Sequence, residues 1–199
     1  VSKSNSGIIH TGFQSSPDSL KGKLAARGNQ LYTQLARSLD FSLRRCGELV
    51  VAFAGQEDAL HTLYQNGKLL DIPDMHPVDS AWIRQHEPRL NPEITAGLFG
   101  QSAGVINPYE AAYALYEHAI SNGVRFHLEE TVIQIAQHSD CWEVHSTKGI
   151  YNTKIVINSA GLFADDISSL AGIPSSTITP RKGEEFLLDR HTGHLTSRV

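Results

Sequence analysis

The sequence is poor in cysteine, in clusters of basic residues and in long apolar runs, and each shortage excludes a class of protein. The 199 residues contain two cysteines, Cys46 and Cys141, which are too few for a disulfide framework and lack the CxxC spacing of a zinc site. Lysine and arginine number 17 against 21 aspartates and glutamates, a net charge of −4 without a basic run, which disfavours nucleic acid as a partner. The apolar stretches are far shorter than the roughly 20 residues that span a bilayer. These features predict a protein of the reducing cytoplasm.

Short motifs that mark a cofactor or a catalytic centre are also missing. No GxGxxG fingerprint occurs, so we expect no complete phosphate-binding loop in these residues. The ten histidines form neither HExxH nor a pair with a carboxylate at ligand spacing, and we predict no metal site. The serines have no GxSxG setting, which disfavours a serine hydrolase. The chain starts without an initiator Met or a signal-peptide pattern, and we expect it to be part of a longer protein.

Hydrophobic periodicity and capping residues predict an alternation of helices and short strands. Leucines at helical intervals predict an amphipathic helix over residues 19–39, with Gly28 as a candidate break. Asn107 followed by Pro108 predicts the start of a second helix, and Gly123 its end. Further helices are predicted at 56–66 and 165–170, strands at 47–53, 124–128, 132–136, 142–146 and 154–158, a loop at 5–17 and short elements joined by turns at 67–104.

Three positions are candidates for chemistry from the residues alone. His10 lies in the predicted opening loop, where an imidazole can act as acid, base or hydrogen-bond donor, although a loop histidine can also be merely solvated. The strand predicted at 154–158 runs into small residues including Ala160 and Gly161, which allow a ligand close to the backbone; a tight turn without a ligand is the alternative. Arg181 can offer a bidentate fork to an anion, or lie in a solvated turn before a strand at 186–188.

Several short segments, in a fixed order, carry a resemblance to a known family. They are Asn5-Ser6-Gly7-Ile8-Ile9-His10-Thr11-Gly12, residues 17–24, Arg27-Gly28-Asn29, residues 47–53, Gly104-Val105-Ile106-Asn107-Pro108, residues 123–126, residues 156–165 and Pro180-Arg181-Lys182-Gly183-Glu184. Together they resemble the FAD-dependent oxidoreductases of the D-amino-acid-oxidase-like superfamily, and within it the glycerol-3-phosphate dehydrogenase and L-2-hydroxyglutarate dehydrogenase branch. The resemblance covers nearly the whole chain.

The resemblance implies a mixed α/β fold, in which an FAD-binding Rossmann-like lobe is interrupted by a substrate lobe built on an antiparallel sheet. Residues 1–46 and 105–173 would belong to the FAD-binding lobe, and residues 47–104 and 174–199 to the substrate lobe. FAD is the implied cofactor. The implied site residues are Asn5, Ser6, Gly7 and Ile8 beside the isoalloxazine, Val132 at the adenine end, Ala160 and Gly161 along the cofactor, His10 for substrate oxidation and Arg181 toward the substrate.

The implied activity is oxidation of sn-glycerol 3-phosphate to dihydroxyacetone phosphate by hydride transfer to FAD. Oxidation of L-2-hydroxyglutarate or another 2-hydroxy acid is an alternative, and so is a non-catalytic binding module. The partners would be a small anionic hydroxy substrate and an electron acceptor, either a protein or a quinone, with the longer protein in the cytoplasm or peripheral to a membrane. Because GxGxxG is absent, we expect these 199 residues alone to bind FAD poorly and to be inactive.

Overall fold

The computed structural model describes residues 5–184, 189, 191 and 195–199. The described residues form two compact units, one within residues 1–122 and 187–199 and the other within residues 123–186. The fold is mixed α/β with small antiparallel sheets, as predicted. Across this described part of the chain, no helix combines the length and the apolar character that a membrane crossing needs.

The first unit contains two antiparallel sheets and the helices that cover them. Its strands are β1 (Ile8–Ile9), β2 (Leu43–Arg45), β3 (Glu48–Phe53), β4 (Met75–Asp79), β5 (Ile94–Gly100) and β6 (Gly104–Ile106), and its helices are α1 (Leu20–Leu39), α2 (Glu57–Leu69), α3 (Ser80–His86) and α4 (Pro108–Ser121). One sheet has the strand order β1-β6-β2 and the other the order β3-β5-β4. The loop predicted at 5–17 therefore contains a short strand, β1, which pairs with β6.

Helix α1 runs without interruption through Gly28, where the sequence suggested a break. The side chain of Ser19 caps its first turn. The neighbouring Asn29 is buried, and its side-chain amide donates to the backbone oxygens of His10 and Ser102 at 2.8 and 3.0 Å. These two tertiary hydrogen bonds, each contributing about 1 kcal/mol, outweigh the roughly 1 kcal/mol that an internal glycine costs.

Helix α4 begins where its capping sequence predicts. The Asn107 side-chain oxygen accepts hydrogen bonds from the backbone N–H groups of Tyr109 and Glu110 at 3.0 and 3.4 Å. Pro108 occupies the first helical position, where its missing N–H has no consequence. Gly123 follows the end of the helix with a φ of 82°.

The main core of the first unit lies between the β3-β5-β4 sheet and α2. Phe13 and Leu98 are its most buried large side chains, and Ala52, Leu60 and Ile72 pack around them. A smaller buried cluster joins α1 to α4. Because Phe13 is fully buried, the segment that follows β1 is fixed against this core.

The second unit is a small antiparallel sheet with one helix beside it. Its strands β7 (Val132–Gln137), β8 (Trp142–Ser146) and β9 (Ile150–Thr153) pair in that order, and α5 (Ala164–Leu170) contacts β7. The strands predicted at 132–136 and 142–146 and the helix predicted at 165–170 are confirmed. β9 was not predicted.

The strands predicted at 124–128 and 154–158 are wrong, because the structure shows neither. Ile155 and Ile157 are 73% and 81% exposed. A strand needs a neighbouring strand for its backbone N–H and C=O groups, and among the described residues no strand pairs with either segment. The apolar, β-branched residues at 154–158 therefore favoured a strand, but their composition gave no information about a partner strand.

The boundary between the two units falls after residue 122, and no predicted lobe boundary lies there. The first unit contains residues from both the predicted FAD-binding segment 1–46 and the predicted substrate segment 47–104. The assignment of segments to an FAD-binding lobe and a substrate lobe stays a prediction.

Candidate functional site

The opening loop, residues 5–12, is held on β6 by backbone pairing and by a glycine. Ile8 and Ile9 of β1 pair with β6, and the N–H of Ile106 donates to the carbonyl of Gly7 at 2.8 Å. Gly7 has a φ of 74°, and a Cβ at this position would collide with the carbonyl oxygen of Ile106. The side chain of Asn5 accepts from the N–H of Gly7 at 2.7 Å. Glycine is thus required for this close approach of two backbones.

A cavity of about 510 Å³ lies between the opening loop, α1 and α4. The loop contributes Asn5, Ile8 and His10 to its wall. The helices contribute mainly aliphatic and small side chains, among them Ala25 and Gly28 of α1 and Ala111 and Ala112 of α4. The volume lies within the roughly 300–1,000 Å³ of small-molecule sites, and a mainly apolar lining with a few polar groups is typical of such sites.

His10 is the main ionisable side chain at this cavity, and its ring contacts a buried carboxylate. Its Nδ1 lies 2.9 Å from Oε2 of Glu48, and the two side chains are 54% and 3% exposed. The backbone N–H of Thr11 donates to Oε1 of Glu48 at 2.8 Å, and the Thr11 hydroxyl contacts the same oxygen. The side-chain amide of Gln14 donates to Oε2 at 2.7 Å.

Glu48 was not among the site residues predicted from the sequence, where it belongs only to the strand predicted at 47–53. The available signal was an acidic residue at the start of the strand Glu48–Phe53, whose other members are all apolar. A carboxylate in a buried position requires hydrogen-bond partners, so it marks a polar site within a core. The partners of Glu48 lie 34 to 38 residues earlier in the chain, and only the fold brings them near.

Asn29 holds the backbone of His10, and Arg45 in turn holds Asn29. The Asn29 amide donates to the His10 carbonyl at 2.8 Å, and the Arg45 guanidinium donates to the Asn29 carbonyl at 2.7 Å and to the hydroxyl of Thr33 at 2.9 Å. Burial lowers the pKa of Arg45 from its ordinary value. The opening loop is therefore tied to α1 and β2 as well as to β6.

The remaining predicted site residues lie in the second unit. Val132 is the first residue of β7 and pairs with Ser146. The N–H of Ala160 donates to the side chain of Asn158 at 3.2 Å, and Gly161 has a φ of 59° with open space where a Cβ would stand. The Asn158 amide also donates to the Ala164 carbonyl at 2.7 Å, which fixes this turn against α5.

Arg181 is exposed and lies outside the helices and strands. A few residues earlier, the N–H of Ile178 donates to the carboxylate of Asp165 at 2.9 Å. This backbone hydrogen bond is the main reason that the pKa of Asp165 lies below its ordinary value. The strand predicted at 186–188 lies outside the described residues.

The structure thus brings the predicted residues together in two groups. Asn5, Ser6, Gly7, Ile8 and His10 share the opening loop, with Ser6 exposed and Gly7 buried. Val132, Ala160, Gly161 and Arg181 lie in the second unit. Among residues 5–184 and the other described positions, no group of three or more His, Cys, Asp or Glu side chains comes together as a metal site, and the absence of a metal stays a prediction.

Solved structures and curated relatives define the class of protein to which this arrangement belongs. The structure superposes on the dithionite-reduced, FAD-bound L-α-glycerophosphate oxidase from Mycoplasma pneumoniae with a TM-score of 0.77 and 29% identity, over 86% of this chain and 47% of that chain. The glycerol 3-phosphate dehydrogenase of Caloramator mitchellensis is 35% identical over 100% of this chain and 42% of its own length. The human mitochondrial L-2-hydroxyglutarate dehydrogenase is 29% identical over 92% of this chain and 42% of its own length.

Fold and relatives together define an FAD-dependent oxidoreductase. The sequence matches the FAD dependent oxidoreductase (DAO) family over residues 1–198, and the chain belongs to that family. It spans about half the length of these relatives, between 42% and 47%.

The residues of the opening loop and its cavity fit FAD, the cofactor of this family. The absence of a Cβ at Gly7 lets the loop lie flat on β6, and Gly28 leaves open space on the α1 side of the cavity. Aliphatic side chains from α1 and α4 line the same cavity, and together with the opening loop they would hold an apolar part of the cofactor. Gly161, with its open surroundings, offers a place where a bulky ligand can approach the backbone of the second unit.

Proposed function

We propose that the whole protein oxidises sn-glycerol 3-phosphate to dihydroxyacetone phosphate, with FAD as the hydride acceptor. The observation that carries the proposal is His10, a partly exposed imidazole that lines the cavity beside the opening loop. Two relatives named for glycerol 3-phosphate chemistry support the choice of substrate, at 35% and 29% identity.

Within this proposal, His10 accepts the proton of the substrate hydroxyl as the hydrogen on the same carbon leaves as hydride. The bound FAD supplies the redox chemistry by taking that hydride. The carbon–oxygen bond then becomes a carbonyl, so one proton and one hydride leave the substrate together.

We also propose that Arg181 binds the phosphate of the substrate. A guanidinium forms bidentate hydrogen bonds with phosphate or carboxylate oxygens, and its charge attracts a small anion. Arg181 and Lys182 are exposed and adjacent, and Lys182 pairs with Glu184 at 2.6 Å. We further propose that a protein or a quinone accepts the electrons from the reduced flavin. The same proposal places the whole protein in the cytoplasm.

L-2-Hydroxyglutarate is the second candidate substrate, and the human relative at 29% identity favours it. Its oxidation needs the same proton acceptor and the same hydride transfer. It differs in requiring groups that bind two carboxylates instead of one phosphate. The opening loop serves both reactions equally, so the substrate must be tested directly.

Anaerobic flavin reduction distinguishes these candidates. The whole protein is loaded with FAD, and the flavin absorbance is followed as sn-glycerol 3-phosphate or L-2-hydroxyglutarate is added without oxygen. We expect bleaching with sn-glycerol 3-phosphate alone. Bleaching with L-2-hydroxyglutarate alone would transfer the proposal to the second substrate, and a bound flavin that neither compound reduces would reject both.

A further inference from the structure

Glu48 is a buried carboxylate whose burial needs an explanation. Its side chain is 3% exposed at the start of a strand that is otherwise apolar. Removing a carboxylate from water is costly unless hydrogen bonds satisfy its oxygens. Glu48 contacts His10 of the opening loop, and its other hydrogen-bond partners indicate what the carboxylate does there.

Each recorded hydrogen-bond partner of the Glu48 carboxylate can donate to it. The backbone N–H of Thr11 and the side-chain amide of Gln14 donate at 2.8 and 2.7 Å, one to each carboxylate oxygen. The Thr11 hydroxyl also contacts Oε1. An ionised carboxylate only accepts hydrogen bonds, so in the 2.9 Å contact with Glu48 the shared proton lies on Nδ1 of His10.

A neutral imidazole has one proton, and its position on the ring decides what the other nitrogen can do. With the proton on Nδ1, Nε2 keeps a lone pair and can accept a proton. Within the described residues, Nε2 of His10 has no hydrogen-bond partner, while the ring is 54% exposed and lines the cavity. With the proton on Nε2 instead, the ring could not act as a base there.

We propose that Glu48 is a positioning residue that fixes His10 as its Nδ1–H tautomer and thereby keeps Nε2 available as the proton acceptor for substrate oxidation. A carboxylate, a histidine and a proton donor in line form the same arrangement by which buried carboxylates orient catalytic histidines in other enzymes. The tautomer is inferred from the contact between His10 and Glu48, whereas its consequence for catalysis rests on the proposed function.

Replacement of Glu48 by glutamine is the informative change, because it keeps the shape and reverses the hydrogen bond. The amide oxygen of Glu48→Gln would accept from the N–H of Thr11, which leaves the NH₂ group toward His10. That NH₂ group faces both Nδ1 of His10 and the side-chain amide of Gln14, which contact the same carboxylate oxygen in the wild type. The Gln14 amide can turn to present its oxygen, and the NH₂ group then donates to Nδ1, so the ring proton moves to Nε2. Glu48→Asp keeps a carboxylate and tests whether the acceptor, and not the exact side chain, is required.

Glu87→Gln is the matched control. Glu87 is likewise a buried glutamate, 4% exposed, and its carboxylate accepts from Ser197 and Arg198 instead of from the opening loop. The same substitution there removes a buried carboxylate without altering the partner of His10. Any effect shared by both variants is therefore a general loss of stability.

The test uses the whole FAD-loaded protein with ¹⁵N-labelled histidine, at a pH where the imidazole is neutral. Ring ¹⁵N shifts report the tautomer of His10, assigned from the signal lost in His10→Asn. We expect Nδ1–H in the wild type, in Glu48→Asp and in Glu87→Gln, and Nε2–H in Glu48→Gln. We expect flavin reduction by substrate to slow by about 100-fold or more in Glu48→Gln, since general base catalysis contributes roughly 10²–10⁴-fold.

Each result separates the inference from the function on which it rests. An Nε2–H tautomer in the wild type, or unchanged tautomer and rate in Glu48→Gln, would overturn the role of Glu48, as would an equal loss of rate in Glu87→Gln. The wild-type tautomer is informative even if Glu48→Gln does not fold. If the predicted tautomers are found but neither proposed substrate reduces the wild-type flavin, the proposed function fails and the positioning role stands.

Discussion

The residues that shape the opening loop are small or buried, and two of them give the loop its geometry. Gly7 allows the backbone to approach Ile106, and Glu48 contacts the histidine at the cavity. The resemblance of the opening segment to flavoenzymes indicated Gly7 and His10 from the sequence. Glu48 could not be found in this way, because its relevance depends on a contact between residues 38 positions apart.

Replacement of Gly7 by alanine tests the geometry of the opening loop. A Cβ there would collide with the Ile106 carbonyl, and the φ of 74° adds the roughly 1–2 kcal/mol cost of a left-handed residue. We expect Gly7→Ala to lower both the free energy of unfolding and the affinity for FAD. Gly55→Ala is the matched control, since Gly55 has a φ of 83° but no atom within 4 Å of a Cβ. Urea unfolding and FAD titration of both variants measure the effect, and equal losses would refute the collision.

The buried carboxylate of Glu87 predicts a loss of stability in acid. Burial alone raises its pKa, but hydrogen bonds from Ser197 and the guanidinium of Arg198 more than offset this, and the pKa lies below the ordinary value of 4.5. Because the folded protein binds this proton more weakly than the unfolded chain, the stabilisation is complete above the unfolded pKa and is lost as the pH falls through the folded pKa. We expect the difference in free energy of unfolding between wild type and Glu87→Gln to shrink below pH 4.5. Denaturation at a series of pH values measures it, and a difference independent of pH contradicts the assignment.

The sequence predicted those helices and strands that capping residues and hydrophobic periodicity determine locally. The capping sequence at Asn107 placed α4 correctly, and alternating residues placed β7 and β8. The prediction of a strand at 154–158 was wrong, because a strand also depends on a partner strand, which composition does not reveal. The continuity of α1 through Gly28 depends on tertiary hydrogen bonds of Asn29, and these too are invisible in a local pattern.

The side chain of Asn107 stabilises the first turn of α4. Asn107→Ala removes the acceptor for the N–H groups of Tyr109 and Glu110, and we expect a loss of about 1 kcal/mol in the free energy of unfolding. Asn107→Ser, which keeps a capping oxygen, should recover most of it. Chemical denaturation of both variants measures the two values. Equal stability of the alanine and serine variants would show that the cap contributes nothing.

At the scale of the whole molecule, the chain belongs to a family of FAD-dependent oxidoreductases and spans about half the length of its relatives, 42% of one and 47% of another. Family, cofactor and fold class were all indicated by the order of short segments along the sequence. The choice of substrate was not, because relatives named for glycerol 3-phosphate and for L-2-hydroxyglutarate both match nearly the whole chain, at 35% and 29% identity. The difference between them depends on groups that bind a phosphate or a second carboxylate.

In the proposed function, His10 accepts the substrate proton while FAD serves as the hydride acceptor. The most direct test is the rate of anaerobic flavin reduction by sn-glycerol 3-phosphate in the whole protein, compared between wild type and His10→Gln. We predict that His10→Gln binds FAD normally and that its flavin is reduced about 100-fold more slowly or worse, since a general base contributes roughly 10²–10⁴-fold. An unchanged rate in a variant with fully bound FAD would contradict the role of His10 as proton acceptor.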